Sequence, residues 1–402
     1  KIWPKDNVDG FINYRVVKNH KFYGFTNYKK FKFIQLIFKN HAAMRSYDYA
    51  FRKPLKIRQL SRNPLKLQIH EANIEPFIRC MHIRKLHAVG WVNIEKYTHL
   101  TNKPSISDIN IETDYMNLDF IDDMRINPYI IASFDLECTS EDGAFPQANR
   151  DGDKIIQIGT TFSRFGESEC YYKHIITLGS CNSLKKYDID VESYNTEQEV
   201  LLAWTNLIER INPDIITGYN ILGFDFPYLR DRATKLGIYE RFSKLSRMTD
   251  DISEFKETQL SSNALGDNIL RYFDMPGRVI IDIMKVVQRD YKLGSYKLDA
   301  VAAHFIKEKV NGLLIDGNTT IIKTSNTYGL KEEYFITIYY TDGISVDKYL
   351  DGKKYQIMKL TKNTICVDGI IEKDLIKNGR KVYWCQAKDD ILAKDIFRLQ
   401  RG

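Results

Sequence analysis

The length, composition and charge of this chain limit what it can be. It has 402 residues, of which 43% are hydrophobic and 28% charged, as expected of a globular protein with two or three domains and not of a disordered or fibrous one. No apolar stretch reaches the ~20 residues that a membrane-spanning helix needs. Six cysteines without a C-x-x-C pair fit the reduced thiols of an intracellular protein better than a disulfide framework or a zinc site.

The amino-terminal region, residues 1–127, is predicted to be a domain of mixed strands and helices. The net charge of +7 is uneven, because residues 1–70 hold sixteen Lys or Arg against three Asp. Aromatic residues are interleaved with this charge at 21–25 and 28–33. The pattern has two interpretations: a groove that binds single-stranded nucleic acid by charge and stacking, or a solvated basic face whose aromatics turn into a core. Both stay open at this point. Helical spacing of apolar residues over 74–81 also predicts a helix.

From residue 128 the pattern becomes α/β. The apolar run 129–132 predicts a buried strand, and Asp135 and Glu137 follow it. Residues two apart on a strand project from the same face. Two carboxylates at the end of a buried strand repel each other and are costly to desolvate unless a cation lies between them.

The next elements are two strands and a helix. Apolar runs at 155–162 and 171–178 predict paired strands. Residues 195–198 carry capping-box chemistry at a helix start. An apolar stripe follows at helical spacing, and Asn-Pro at 212–213 closes the predicted helix.

A third carboxylate follows a further strand. The apolar run 214–217 predicts this strand, and Asp225 ends the sequence G-Y-N-I-L-G-F-D at 218–225. A helix is expected to begin near Pro227, a favourable first helical residue, and to end at Gly237. Three carboxylates brought together from separate strands suit hard divalent cations such as Mg2+ or Mn2+.

Residues 311–383 are predicted to form a small β-rich insertion. Short β-prone runs alternate there with Asp-Gly pairs typical of hairpin turns, at 316–317, 342–343, 351–352 and 368–369. We find no chemistry in these residues and interpret them as a structural or partner-binding appendage.

The ordered motifs resemble the exonuclease domain of family B DNA polymerases, in particular the delta-type enzymes, including those of large DNA viruses. In that family the first motif reads F-D-I/L-E and the second reads G-Y/F-N, a spacer and F-D, which match 134–137 and 218–225. The likeness runs from about 70 to 310 and returns at 384–398. Further segments that match family signatures are 70–92, 145–158, 277–282 and 292–298.

The resemblance implies an α/β fold with an RNase H-like exonuclease domain. It assigns four segments: an amino-terminal domain at 1–127, the exonuclease domain at 128–310, the insertion at 311–383, and the start of a segment leading to a third motif at 384–402. It also implies 3′→5′ proofreading with two Mg2+ or Mn2+ ions, which activate water and stabilise the leaving oxygen.

The resemblance also implies roles for individual residues. Asp135 would bridge both ions, Glu137 would ligate the ion that activates water, and Asp225 would bind the second ion. Three further residues would position the substrate or support the site: Asn220, Phe224 and Leu136.

One departure concerns the family's third motif, Y-x-x-x-D, which would supply a water-positioning tyrosine and a fourth carboxylate. Its single occurrence here is Tyr115–Asp119, ahead of the first motif, while Tyr296 has its aspartate at position 299, a spacing of three. The palm motifs D-x-x-S-L-Y-P and D-T-D are also absent from the 402 residues. We therefore expect a fragment, opening on Lys1, that cannot polymerise DNA and is a severely impaired nuclease. Its parent would be a proofreading polymerase.

The resemblance implies DNA as the partner, as a single-stranded 3′ end or a primer-template, together with the rest of the polymerase and, as one option, a processivity factor. No membrane contact is expected, and a viral protein would act in the host nucleus or cytoplasm. Two alternatives remain. One is a non-catalytic, DNA-binding piece of a split polymerase. The other is a freestanding exonuclease that recruits its fourth carboxylate from Asp282 or Asp299.

Overall fold

Two units make up the chain: residues 1–101 with 111–126, and residues 102–110 with 127–402. The computed structural model describes residues 10–387 except 22, 263–265, 342–344 and 378–379. Within these residues no helix is long and apolar enough to cross a membrane. All six cysteines are free thiols.

The first unit opens on a long β-hairpin and continues with short elements. These are β1 Phe11–His20, β2 Lys30–Phe38, α1 His41–Phe51, α2 Pro76–Arg84, β3 Trp91–Ile94, β4 Thr98–His99, β5 Ile111–Glu112 and β6 Leu118–Ile121. Antiparallel pairing joins β1 to β2, β3 to β6 and β4 to β5. The spacing over 74–81 correctly predicts α2. This helix has no buried residue, however, since Phe77 is 71% and Ile78 56% exposed.

The second unit begins with a mixed α/β layer. Its elements are β7 Ile130–Cys138, β8 Ile155–Arg164, β9 Cys170–Leu178, β10 Asp190–Tyr194, α3 Glu197–Ile211, β11 Ile215–Gly218, α4 Asp225–Lys235, α5 Tyr239–Phe242, β12 Phe255–Ser262, β13 Gly266–Phe273, β14 Val279–Asp282, α6 Ile283–Asp290 and α7 Leu298–Phe305. Six strands form one sheet in the order β10-β9-β8-β7-β11-β14, and β12 pairs with β13 in a separate hairpin. The strands β7, β8 and β9 are antiparallel neighbours, whereas β11 is parallel to both β7 and β14.

Aromatic residues form the core between this sheet and its helices. The Phe134 ring of β7 lies 4.9 Å from the Trp204 ring of α3 and 5.4 Å from the Phe226 ring of α4. Both helical residues are fully buried. The core therefore occupies the face of β7 that carries Phe134, and the alternating residues of β7 face away from it.

Two helix starts differ from prediction. Thr196 is the N-cap of α3 and forms a capping box with Glu199, one residue after the predicted box at 195–198. Helix α4 begins at Asp225, two residues before the predicted start at Pro227. The first four amides of a helix lack intrahelical acceptors, so proline fits at the third position as well as the first.

In the second unit, the described residues from Lys307 to Ala387 form a β-barrel. Its elements are β15 Lys307–Asp316, β16 Thr319–Thr324, β17 Phe335–Thr341, β18 Val346–Lys348, β19 Lys354–Thr361, β20 Thr364–Asp368, α8 Asp374–Lys377 and β21 Lys381–Ala387. Six antiparallel strands follow one another as β17-β19-β20-β16-β15-β21, and β21 pairs again with β17, which closes the barrel. A separate core fills it, including Trp384 and Tyr355, each 1% exposed.

The barrel extends beyond the predicted insertion. The β-prone runs predicted at 319–324, 334–340, 356–360 and 364–370 correspond to β16, β17, β19 and β20. The closing strands β15 and β21 cross the predicted bounds of 311 and 383. Residues 384–387, predicted to lead towards a third motif, belong to β21, where Trp384 is buried. The remainder of that predicted segment, 388–402, and the Asp-Gly pair at 342–343 lie outside the described residues.

Candidate exonuclease active site

Strand β7 presents the first two carboxylates away from the core. Phe134, Leu136 and Cys138 are buried, while Asp135 is exposed and Glu137 is half-buried. This alternation confirms that Asp135 and Glu137 share one face of the strand. The side chain of Leu136 is 6% exposed and belongs to the core, so the predicted part in substrate positioning would have to involve its backbone.

The loop after β11 passes very close to β7. A Cβ atom on Gly218 would lie 2.7 Å from the carbonyl oxygen of Phe134 and 2.5 Å from Cγ2 of Ile221, closer than real side chains come. Asn220 has a φ of 65°, in the left-handed region that asparagine tolerates better than most residues. The backbone therefore requires the glycine, and favours the asparagine, of the G-Y-N motif, and the loop turns beside the residue that precedes Asp135.

Asp282, at the end of β14, holds this loop in place. Its Oδ1 accepts hydrogen bonds from the amides of Asn220 and Met284, both at 2.9 Å, and its Oδ2 accepts one from Leu222 at 3.1 Å. The residue is 3% exposed, and both of its oxygens have donors. These contacts make Asp282 a clamp on the loop and disfavour the alternative in which it becomes a fourth metal ligand. Asp299, the other candidate, is exposed in the first turn of α7.

The third carboxylate, Asp225, is the first residue of α4 and is 2% exposed. Its Oδ1 makes no hydrogen bond with any described residue. Burial, the charge of Asp135 and, more weakly, the charge of Asp282 together raise the pKa of Asp225 to about 7, against a lowering by backbone amides that include that of Leu136. Asp225 is therefore close enough to Asp135 for the two charges to repel each other.

An aromatic group lies next to Asp225. The ring of Phe224 is half-buried, and its centroid lies 5.3 Å from those of Phe145 and Tyr228. Phe145 is 73% exposed. From the sequence, Phe145 is identified only as the start of the segment 145–158 that matches a family signature, because a single sequence does not reveal that this exposed ring contacts the second motif.

A family model described as "DNA polymerase family B, exonuclease domain" matches residues 67–301, more than half of the chain. The chain belongs to DNA polymerase family B. The predicted resemblance is confirmed, and the mixed α/β layer of the second unit lies almost wholly inside the matched range. The barrel, which begins at Lys307, lies outside it.

Individual relatives agree with the family. The chain is 28% identical to the DNA polymerase of Pyramimonas orientalis virus and 32% identical to that of Acanthamoeba polyphaga mimivirus, in alignments that cover 98% of it. It is 37% identical over 60% of its length to the DNA polymerase delta catalytic subunit of Dictyostelium discoideum. It spans 42%, 28% and 22% of the lengths of these three relatives.

Family B exonuclease domains depend on divalent metal ions, which raises the question of whether the carboxylates of this site could hold one. Among the described residues, no three Asp, Glu, His or Cys side chains are already arranged to hold an ion. The chemistry nevertheless fits a cation, because Asp225 has a buried Oδ1 without a donor and a pKa raised by burial and by the charge of the neighbouring Asp135. A hard cation between them would supply the missing partner and relieve the repulsion. The participation of Glu137 stays a prediction.

A buried ion pair fixes the loop that carries Phe145 in this family B domain. Arg232 of α4 pairs with Glu197 of α3, and both are at least 95% buried. The guanidinium also donates to the carbonyls of Ala148 at 2.9 Å and Arg150 at 2.7 Å. The loop is therefore tied to two core helices, a connection that no local sequence signal predicts.

Proposed function

We propose that this chain is the amino-terminal and exonuclease portion of a family B DNA polymerase, and that its exonuclease domain removes nucleotides from the 3′ end of single-stranded DNA. The observation that carries the proposal is Asp225: a buried carboxylate with an unpartnered oxygen, electrostatically coupled to Asp135, at the position of the family's second motif. The strand order, three antiparallel strands followed by parallel β11 and β14, supports an RNase H-like arrangement.

The residues have distinct tasks in this proposal. Asp135, Glu137 and Asp225 would hold two Mg2+ or Mn2+ ions, which when bound would activate water and stabilise the leaving oxygen. Asn220 would orient the substrate from the loop that Asp282 holds, and Phe224 would contact the terminal nucleotide from beside Asp225.

Phe145 extends this set of residues. Its ring is mostly exposed and touches Phe224, so an unpaired terminal base has an aromatic surface to stack on. An unpaired base can reach such a surface, whereas a base inside a duplex cannot. This arrangement supports a single-stranded 3′ end as the substrate.

We also propose the wider setting. The full-length protein would be a DNA-directed DNA polymerase acting on a primer-template, with the remaining polymerase domains and a processivity factor as partners. It would act inside the cell, in the host nucleus or cytoplasm if its source is viral.

The test is a single-turnover nuclease assay with protein in excess over a 5′-labelled single strand, in Mn2+ or Mg2+ and over hours. Long times are needed because no Y-x-x-x-D follows Asp225 in these 402 residues, and loss of such a group typically costs 10²–10⁴-fold in rate. Asp135→Ala and Asp225→Ala should abolish the remaining metal-dependent shortening. The control Asp231→Asn, on the same helix as Asp225 with a side chain 47% exposed, should retain it. Equal shortening by Asp135→Ala and the unaltered chain would refute the assignment.

A further inference from the structure

The hairpin formed by β1 and β2 has an unusual charge. Residues 10–47 contain eight Lys or Arg and no Asp or Glu. The stretch is part of a basic region, because residues 1–70 hold sixteen Lys or Arg against three Asp, while the chain as a whole carries only +7. A segment of this kind attracts polyanions and repels other cationic surfaces.

Basic residues lie directly opposite one another across the two strands. Lys18 is paired with Lys32, and His20 with Lys30, and all four are exposed. Like charges directly opposite each other destabilise a sheet. Phosphate groups along this end of the hairpin would turn the repulsion into attraction.

The same face of the hairpin continues with exposed apolar residues. Tyr14 is 60% exposed, Val16 63% and Ile34 69%, and Val16 lies opposite Ile34. On the other face, Phe31 and Phe33 are half-buried, and the Phe33 ring packs edge-on against His70. The aromatics of this segment are thus divided between a partly buried face and an exposed one, a mixture of the two sequence interpretations.

Three aromatic side chains at the tip of the hairpin are largely exposed to solvent. Phe25 is 92% exposed, Tyr28 86% and Tyr23 83%. The turn is well defined, since the amide of Lys29 donates to the carbonyl of Thr26 at 3.0 Å. Both central residues of this turn, one of which is Tyr28, have positive φ, as in a type I′ turn. The turn lies within residues 21–29, which connect the two strands, so the ring of Tyr28 is exposed from a regular turn.

We propose that this face and tip of the β1–β2 hairpin bind single-stranded DNA. Lys18, Lys30 and Lys32 contact phosphates, and Phe25 and Tyr28 stack on unpaired bases, which is the combination that single strands require. The choice of DNA rests on the proposed function, whereas the preference for a single strand rests on the exposed rings. This surface uses none of the residues of the exonuclease site.

The test measures binding by fluorescence anisotropy of a labelled oligothymidine of about 12 nucleotides, within the ~4–16-nucleotide range of such sites. Chelator is present, so that no hydrolysis occurs. Phe25→Ala with Tyr28→Ala should weaken binding at least about fivefold, the lower end of the effect of losing one stacked base. Lys18→Ala, Lys30→Ala and Lys32→Ala together should lower the slope of log K against log salt by about 2, since each phosphate contact on a single strand contributes about 0.7.

Matched controls come from the exposed surface of the barrel. Tyr328→Ala removes a ring that is 89% exposed and should leave the affinity unchanged. A triple lysine control at exposed positions should leave the salt slope nearly unchanged: Lys359→Ala, Lys362→Ala and Lys373→Ala. Because the substituted hairpin side chains are exposed, and because removing the opposed lysines relieves repulsion, melting temperatures of the variants should not fall below that of the unaltered chain.

Three results would overturn the proposal. The first is that the hairpin variants bind the oligothymidine with unaltered affinity and salt slope. The second is that the barrel controls weaken binding as much as the hairpin variants do. The third is that the hairpin variants lose self-association in sedimentation while their DNA binding is unchanged. The last result would assign the face to a second copy of the chain. A negative result for the hairpin can be distinguished from a negative result for the proposed nuclease. Asp135→Ala should not change the binding of the oligothymidine, and the hairpin variants should not change the binding of Mn2+.

Discussion

Replacing Asp225 by asparagine should stabilise the protein above neutral pH in the absence of metal. The carboxylate is 2% exposed, and its pKa is raised to about 7 by burial and by the charge of Asp135. In the unfolded chain its pKa is about 3.9. The unfolded state therefore releases its proton first, and the contribution of Asp225 to stability falls as pH rises from about 4 to about 7. Asparagine keeps the shape without the buried charge.

The size of the effect follows from the pKa difference. About three pKa units correspond to roughly 4 kcal/mol once the pH is above 7. Part of this loss is already present at pH 5, so the advantage of Asp225→Asn over the unaltered chain should grow by about 2–3 kcal/mol between pH 5 and pH 8. The control Asp231→Asn, on the same helix but with a half-exposed side chain, should show no such growth.

Urea-dependent hydrogen exchange measures this without interference from the barrel, because peptides from β7 and α4 report the opening of the exonuclease core alone. Mg2+ or Mn2+ at 100 times its dissociation constant should then add about 2.7 kcal/mol to the unaltered chain at pH 8, and nothing to Asp225→Asn. A variant that is less stable than the unaltered chain at pH 8, or a difference that does not change with pH, would show that Asp225 is not a strained, buried anion.

Three further substitutions test the supports of the site, each by urea unfolding. Gly218→Ala should destabilise the protein by about 1–3 kcal/mol, as overpacking does, because the new Cβ would lie 2.7 Å from the carbonyl oxygen of Phe134. The control is Gly159→Ala, whose Cβ would have no atom within 4 Å. It should change stability by less than about 0.5 kcal/mol. Asp282→Ala should cost roughly 2–5 kcal/mol, because two amides of the loop and the Met284 amide of α6 lose their acceptor. A smaller loss would mean that the loop keeps its conformation without Asp282. Arg232→Met should cost about 3–5 kcal/mol of stability, because it leaves Glu197 buried and unpaired. It should also speed proteolysis of the 139–154 loop. Unchanged resistance of this loop to protease would show that Arg232 does not anchor it.

Local pattern predicted much of the fold. The apolar run at 129–132 predicted β7, and the runs at 155–162 and 171–178 predicted β8 and β9, because the side-chain pattern of a strand is recorded in a few neighbouring positions. In the barrel, β-prone runs predicted β16, β17, β19 and β20, and the Asp-Gly pair at 316–317 lies at the turn between β15 and β16. The closing strands β15 and β21 were missed, since β21 pairs with β15 and β17 across more than forty residues and no short-range signal records such a pairing.

The site shows the same division between local and distant information. The motifs located Asp135 and Asp225, and the close approach of β11 to β7 explains why glycine begins the second motif. The contacts of Asp282 with the loop and of the Phe145 ring with Phe224 were not predictable, because they join residues sixty or more positions apart in the chain. A lone aspartate after an apolar run looks like any helix cap, and Asp282 is indeed also the N-cap of α6.

The most direct test of the account is anomalous X-ray scattering from crystals of the chain soaked in Mn2+. We expect a manganese peak within about 2.5 Å of carboxylate oxygens of both Asp135 and Asp225, and loss of that peak in Asp225→Asn. Manganese bound only elsewhere, with Oδ1 of Asp225 still lacking a partner, would contradict the metal-dependent nuclease proposed here.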